Sequence, residues 1–267
     1  MINFPTCKIN LGLHILRKRV DGYHDIETGM LELPFCDVLE ALESDEASFS
    51  TSGLEIPGRG NLILDAERVF RKYQEIPVLS FHLHKMIPMG GGLGGGSSDA
   101  AFALKLLRDR YAPEIGNEHL KQMAAEIGSD CAFFIEGGLQ FAEGRGEVLS
   151  PLQADLKNCY IVLVNAGIHV STKEAYDGVV PDETRASLRT ILEKPLSAWK
   201  DSLVNDFEES VFRKYPELAQ LKNDIYAHGA VYAAMTGSGS TLFGIFRSEP
   251  KNIRWSQSVV YEKCLKI

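Results

Sequence analysis

Residues 88–98 run Pro88, Met89, Gly90, Gly91, Gly92, Leu93, Gly94, Gly95, Gly96, Ser97, Ser98. Six glycines in seven positions carry no Cβ to hold a ligand off, so successive backbone N–H groups can close on an oxyanion. The residues from Asp99 to Leu107 are rich in alanine, phenylalanine and leucine, which predicts a helix. Its free N–H groups and positive dipole end add to the attraction. The chemistry expected here is phosphate binding, above all the triphosphate of a nucleotide. A flexible linker is the bland alternative, but a linker does not open into a helix with Ser97 as its cap and an apolar face.

Three common phosphate motifs fit poorly. Gly90, Gly92 and Gly95 satisfy G-x-G-x-x-G by letter, but a dinucleotide site needs a strand ending in an acidic residue about 20 positions on. Arg108-Asp109-Arg110-Tyr111-Ala112-Pro113 stands there instead. A Walker loop ends in Gly-Lys-Ser/Thr, where this chain has Gly96-Ser97-Ser98. The H-R-D and D-F-G motifs of protein kinases do not occur.

Other residues of chemical interest lie elsewhere. Lys8 and Asn10 are two apart in an alternating stretch, so both leave the same strand face. An ammonium on a rigid strand suits a phosphate or carboxylate partner, although such a lysine can equally face solvent. Tyr23 and His24 follow the turn Asp21-Gly22 and offer a stacking face and hydrogen bonds to a base. Arg17, Lys18 and Arg19 either attract a diphosphate or form a solvated turn. Asp130 follows Gly128-Ser129 and precedes the apolar segment 131–135, at an N-terminal edge where a helix dipole favours an ionised carboxylate. It is a candidate to take a hydroxyl proton, and equally a plain N-cap. No carboxylate cluster announces a metal site, so no metal ligand is assigned.

The elements that must position these residues follow from periodicity. Ile9, Leu11, Leu13 and Ile15 alternate with Lys8, Asn10, Gly12 and His14, which predicts a strand with one buried face. Further strand is expected from Tyr23 to Val38, near Ala47 to Thr51, and from Leu79 to Leu83 leading into the glycines. Helices are expected over 61–74, from the glycines to about Arg110, and over 117–127, the last ending at Gly128 as a left-handed cap. Tyr160 to Val164 reads as a buried strand, and Ser171-x-x-Glu174 as a capping box opening a helix that carries Tyr176. Helices near 206–214 and 216–228 precede a strand, the glycine loop Gly237-Ser238-Gly239-Ser240 and another strand, where a hairpin turn is the plain alternative.

The 267 residues suffice for one large domain or two modest ones. A net charge of −8 argues against a nucleic-acid partner. Five scattered cysteines, none at C-x-x-C spacing, fit reduced thiols in a cytosol. The N-terminus does not read as a signal peptide, and no apolar run approaches the roughly 20 residues needed to span a bilayer. A cytoplasmic protein without membrane association is expected.

Pro88-x-x-x-x-Leu93-Gly94-x-Gly96-Ser97-Ser98-x-Ala100-Ala101 resembles the phosphate loop of the GHMP kinases. Pro5-x-x-Lys8-Ile9-Asn10-Leu11-Gly12-Leu13, then Arg17-x-Arg19-x-Asp21-Gly22-Tyr23-His24, then Gly237-Ser238-Gly239-Ser240, extend the resemblance over nearly the whole chain. They point to the branch whose acceptor is an alcohol carried on a cytidine diphosphate, in the non-mevalonate route to isoprenoid precursors. The resemblance implies an α+β, two-lobed fold with the active site in the cleft between lobes. The ATP-binding lobe is expected over 1–152 and a substrate-covering lobe over 153–267. It further implies ATP with Mg²⁺ as co-substrate, Lys8 and Asp130 as the catalytic pair, and residues 88–98 with Asn61 at the nucleotide. An N-cap role explains Asn61 equally well. Asn10, Tyr23, His24, Thr172, Tyr176, Gly237 and Ser238 would bind the acceptor, its cytosine lying between Tyr23 and Tyr176. The implied partners are small molecules only, and the implied state a monomer or weak homodimer. Thr6-Cys7, Asp25 and Asp99 depart from the residues common at those places, and none is assigned to chemistry. Two rivals remain: a sibling kinase acting on mevalonate, homoserine or a sugar, and a relative that binds nucleotide without catalysis.

Overall fold

The structure, a computed structural model, describes residues 1–56 and 60–267. In chain order the strands are β1 (Ile2–Asn3), β2 (Thr6–Lys18), β3 (His24–Cys36), β4 (Val38–Glu43), β5 (Ser48–Gly53), β6 (Leu79–Lys85), β7 (Leu139–Glu143), β8 (Val148–Pro151), β9 (Tyr160–Asn165), β10 (Tyr232–Met235), β11 (Leu242–Phe246) and β12 (Tyr261–Lys266). The helices are α1 (Leu62–Phe70), α2 (Gly95–Tyr111), α3 (Asn117–Ile127), α4 (Cys131–Glu136), α5 (Thr172–Asp177), α6 (Leu188–Leu192), α7 (Phe207–Lys214) and α8 (Pro216–Ala227). The expected α+β class is what forms.

The chain divides into two compact units. Unit 1 comprises 1–8, 34–89 and 94–137, and unit 2 comprises 9–33, 90–93 and 138–267. This differs from the expected contiguous lobes 1–152 and 153–267 in where 9–33, 90–93 and 138–152 fall. The reason is a sheet: β2, β3, β7 and β8 are hydrogen-bonded neighbours in that order, so early and middle segments share one ladder.

In unit 1 the sheet order is β1-β4-β6-β5, with β4 antiparallel and β5 parallel to β6. Leu79, Phe81, Leu83 and Lys85 of β6 are buried while Ser80, His82 and His84 are only partly so, the period-two pattern the sequence predicts. Helix α2 buries most of its length, and Ala100, Ala101 and Ala103 let α1, α3 and α4 approach it closely. It begins at Gly95, with Gly94 as N-cap at φ 70°, so Ser97 lies inside the first turn and is not the expected cap. Gly128 ends α3 in extended backbone, φ −176°, and not as a left-handed cap.

Unit 2 holds the sheet β10-β11-β9-β12, antiparallel throughout, besides most of β2-β3-β7-β8. Its core packs Leu13, Val162, Val164, Phe207, Met235 and Phe246. β2 corrects the expectation of a single buried face, because every residue from Cys7 to Ile15 is buried. Of its buried polar side chains, Lys8 and Asn10 have partners, whereas His14 Nδ1 has no hydrogen-bond partner among the described residues. The sequence pattern did not reveal β7, β8, α6 or β12. They are short, and β8 and β12 are edge strands, β12 largely exposed, where periodicity is weakest.

Trp199 is fully buried, with its indole N–H donating to the Lys194 carbonyl at 3.1 Å and its ring edge-on to Tyr232 at 5.7 Å. Trp199→Ala is expected to lower stability by about 3–5 kcal/mol, measured by urea unfolding.

Candidate active site

The glycine loop is set by what lies against it. In unit 2, Gly92 has φ 78° and its carbonyl accepts from the Thr236 hydroxyl at 3.1 Å. A Cβ there would fall far inside van der Waals contact with the Thr236 carbonyl oxygen. The Gly91 carbonyl accepts the Thr241 N–H at 3.3 Å. In unit 1, Gly94 has φ 70°, and a Cβ on it would lie 3.0 Å from Phe134 Cζ and 3.1 Å from Lys8 Cε. The Ser98 N–H donates to the Gly94 carbonyl at 2.9 Å, the bond that opens α2. The N–H groups of Gly95, Gly96 and Ser97 therefore precede the ladder and have no acceptor within the helix. Such N–H groups at a helix start can bind an anion. Pro88 and Met89 lead into it, Leu93 is buried, and Gly96 is the one loop glycine with room beside it among 91, 92 and 94–96, its nearest neighbour being Leu62 at 3.7 Å.

Lys8 projects from β2 beside this helix start. Its Nζ lies 3.3 Å from Asp130 Oδ2; the lysine side chain is 5% exposed and the aspartate 32%. Asp130 occupies the N-cap position of α4 but makes no capping bond with its side chain. Its carboxylate is turned to Lys8, which decides against the plain N-cap. A half-open carboxylate held by a buried ammonium can take a proton while its charge stays compensated.

Unit 2 brings together four of the residues expected to bind the acceptor. The His24 ring stacks on Tyr176 at 4.7 Å with 22° between planes. Tyr176 meets Phe207 edge-on at 4.8 Å. From the first turn of the same helix, the Thr172 hydroxyl lies 3.4 Å from that of Ser238. Ser171 accepts from the Glu174 N–H at 3.2 Å, the capping bond that starts α5. Burial and the charge of Lys18 lower the His24 pKa, so a neutral imidazole with one acceptor nitrogen faces solution at neutral pH. Tyr23 is placed elsewhere: it is half exposed, with the Arg145 guanidinium 5.0 Å over its ring. The His24 ring is stacked on Tyr176.

Asn10 is built into the wall. Its amide donates to Thr28 Oγ1 at 3.1 Å, and its Oδ1 accepts from Thr236 Oγ1 at 3.3 Å. Gly237, at φ 54°, would bring a Cβ to 3.2 Å from Asn10 Oδ1. Asn61 caps α1 by accepting the Ile63 N–H at 2.8 Å, the N-cap role. Arg17 and Arg19 are engaged with Asp25, and Arg19 also with Asp21, so the basic turn is internally compensated.

Several site-building residues carried no sequence signal. Asn205 donates to the carbonyls of Met235 and Gly237, both at 2.8 Å, and Asn165 to Thr241 Oγ1 at 3.0 Å. Lys85, Asp37 and Asp99 form a buried charge cluster, to which the unusual Asp99 was the sole pointer. Among the described residues no group of three or more His, Cys, Asp or Glu could hold a metal ion, and the five cysteines are free. No helix among them is long and apolar enough to cross a membrane.

A glycine-rich turn at a helix start, with a lysine–aspartate pair whose lysine lies against Gly94, suits phosphoryl transfer. The chain belongs to the GHMP kinase family: residues 61–138 match the profile of the GHMP kinases N terminal domain and residues 187–254 that of the GHMP kinases C terminal. It is 48% identical over 268 residues to the 4-diphosphocytidyl-2-C-methyl-D-erythritol kinase of Cytophaga hutchinsonii, covering 99% of both chains. It is 45% identical over 257 residues to the enzyme of that name from Bacteroides fragilis, covering 94% of both. A crystal structure of 4-(cytidine 5'-diphospho)-2C-methyl-D-erythritol kinase superposes with a TM-score of 0.77 at 32% identity, over 92% of this chain and 90% of the other. The Methanococcus jannaschii mevalonate kinase shares the fold, with a TM-score of 0.72 at 14% identity, over 100% of this chain and 98% of the other.

Gly92→Ala is expected to cost about 1–3 kcal/mol in stability from the positive φ alone, and to abolish nucleotide binding by displacing the loop from Thr236. Urea unfolding and nucleotide titration of the same protein check both effects.

Burial pushes the Asp99 carboxyl up to about 7, with Lys85 opposing and Asp37 adding to the rise. The folded chain then holds a proton that the unfolded chain releases near the ordinary carboxylate value, so native stability falls as pH rises between about 4 and 7. Asp99→Asn removes that loss. Its stability relative to the native chain is expected to increase across this window, measured by urea unfolding at several pH values.

Proposed function

We propose that this chain transfers the γ-phosphoryl group of ATP to the 2-hydroxyl of 4-diphosphocytidyl-2-C-methyl-D-erythritol, in the non-mevalonate route to isoprenoid precursors. The relatives of 42–48% identity carry that activity in their names. The observation within the site that carries the chemistry is the Lys8–Asp130 pair at 3.3 Å, with the lysine stem against Gly94.

The N–H groups at the start of α2 and the glycines before it hold the triphosphate. Mg²⁺ carried in with ATP would supply charge neutralisation at the phosphates. His24, Tyr176, Thr172 and Ser238 supply a ring face and hydroxyls suited to the cytidyl diphosphate end of the acceptor. Asn10 acts by holding Thr236 and hence the loop. The acceptor oxygen attacks the γ-phosphorus, the bond to the β-phosphate oxygen breaks, and ADP leaves. The hydroxyl proton passes to Asp130. A carboxylate is a weak base toward an alcohol, which suffices where the transition state is loose and the proton leaves late. Lys8 keeps Asp130 in place and offsets the negative charge that develops at the transferring group. The net charge of −8 speaks against a nucleic-acid partner, and the enzyme is proposed to act on small molecules in the cytoplasm as a monomer or weak homodimer.

Asp130→Asn is expected to lower kcat at least about 100-fold with little change in either KM, because only the proton acceptor is lost. Release of ADP is measured with the cytidyl substrate, mevalonate, homoserine and galactose side by side. Turnover confined to another alcohol would replace the acceptor, and an Asp130→Asn enzyme near native rate would remove Asp130 from the proton transfer.

A further inference from the structure

Unit 1 buries three ionisable side chains that the chemistry above does not use. Lys85, the last residue of β6, is fully buried, and its Nζ donates to Asp37 Oδ2 at 2.5 Å and to Asp99 Oδ2 at 2.7 Å. Asp37 is the single residue between β3 and β4, and its other oxygen accepts the N–H groups of Met86 at 2.5 Å and Ile87 at 2.8 Å. Asp99 stands in α2, and its Oδ1 is buried without a partner among the described residues. A Cβ on Gly95 would lie 3.0 Å from Lys85 Nζ, so the ammonium sits against the first residue of α2.

A buried ion cluster is a poor route to stability, since apolar side chains of equal volume hold a core as well or better. Directed bonds do something that apolar packing does not. Here they pin the two ends from which the glycine loop springs, the exit of β6 through Asp37 and the opening turns of α2 through Asp99. Both ends meet at one ammonium.

We propose that Lys85, clamped by Asp37 and Asp99, is the positioning residue of the phosphate loop, fixing β6 against α2 so that the N–H groups of the cradle are set before ATP arrives. The proposal rests on the nucleotide-binding role given to the loop above. Donors placed in advance lose less freedom on binding, so the effect falls on nucleotide affinity and leaves the acceptor untouched.

Asp99→Ala tests this. It cuts the arm to α2 and leaves Lys85 paired one-to-one with Asp37. The KM for ATP and the Kd for Mg·AMP-PNP are expected to rise about tenfold. The KM for the acceptor should stay within about twofold. Asp99→Leu makes the same cut without leaving a gap and should behave alike if the alanine variant folds poorly. Asp99→Asn, whose amide oxygen can still accept from Lys85, should return nucleotide affinity to within about twofold of native. Native nucleotide affinity in the Ala and Leu variants overturns the proposal. So does a parallel rise of both KM values, which marks a purely structural role. A native chain that fails to bind Mg·AMP-PNP overturns the kinase reading itself, a result distinct from either.

Discussion

Lys8 is a cation taken out of water, and such a charge persists only beside an anion. The anion is Asp130, and the pairing has consequences in both directions along the chain. It withdraws the aspartate from capping α4, which makes do without a side-chain cap. It also lays the lysine stem against Gly94, where any Cβ would crowd it. The buried ammonium and the glycine that precedes α2 are thereby set by one contact.

The loop glycines are positional rather than flexible. Gly92 and Gly94 hold left-handed backbone and carry neighbours at the place of a Cβ, so each answers a separate constraint. The network behind them is polar and mutually satisfied: Thr236 accepts from the Asn10 N–H at 3.0 Å and donates to Gly92, while Asn205 gathers the carbonyls of Met235 and Gly237. Buried polar groups connected this way specify one arrangement, because losing any member strands the others. A cradle made of main-chain N–H groups needs that rigidity, since its donors cannot re-aim themselves by rotating a side chain.

Charge in unit 1 is distributed with an evident asymmetry. Lys8 meets one carboxylate that is partly open to water, whereas Lys85 meets two that are not. A carboxylate partly open to water can exchange a proton with what approaches it. The closed cluster is suited to holding backbone, and two of its bonds go to the main chain at Met86 and Ile87. Unit 2 shows a comparable division, with Asn10 bonded to Thr28 and Thr236 while Thr172, Ser238 and His24 gather at the helix that carries Tyr176.

The sequence alone determined the local grammar. Glycine chemistry at 90–96, the alternation along β2 and β6, the capping box at Ser171 and the apolar faces of α1–α3 are short-range facts, legible because they depend on neighbours a few residues away. The candidate residues Lys8, Asp130, His24, Tyr176 and Ser238 were also legible as types. What they touch was not. That the Asp130 carboxylate leaves its cap for Lys8, that His24 stacks on Tyr176, and that β2 is buried on both faces are outcomes of contacts far apart in sequence. So are the Asp37–Lys85–Asp99 cluster and the placing of 9–33 with 138–151, which follows from strand neighbours no local pattern reports. Periodicity records which face of an element is apolar; only the folded chain chooses the partner that each polar group will meet.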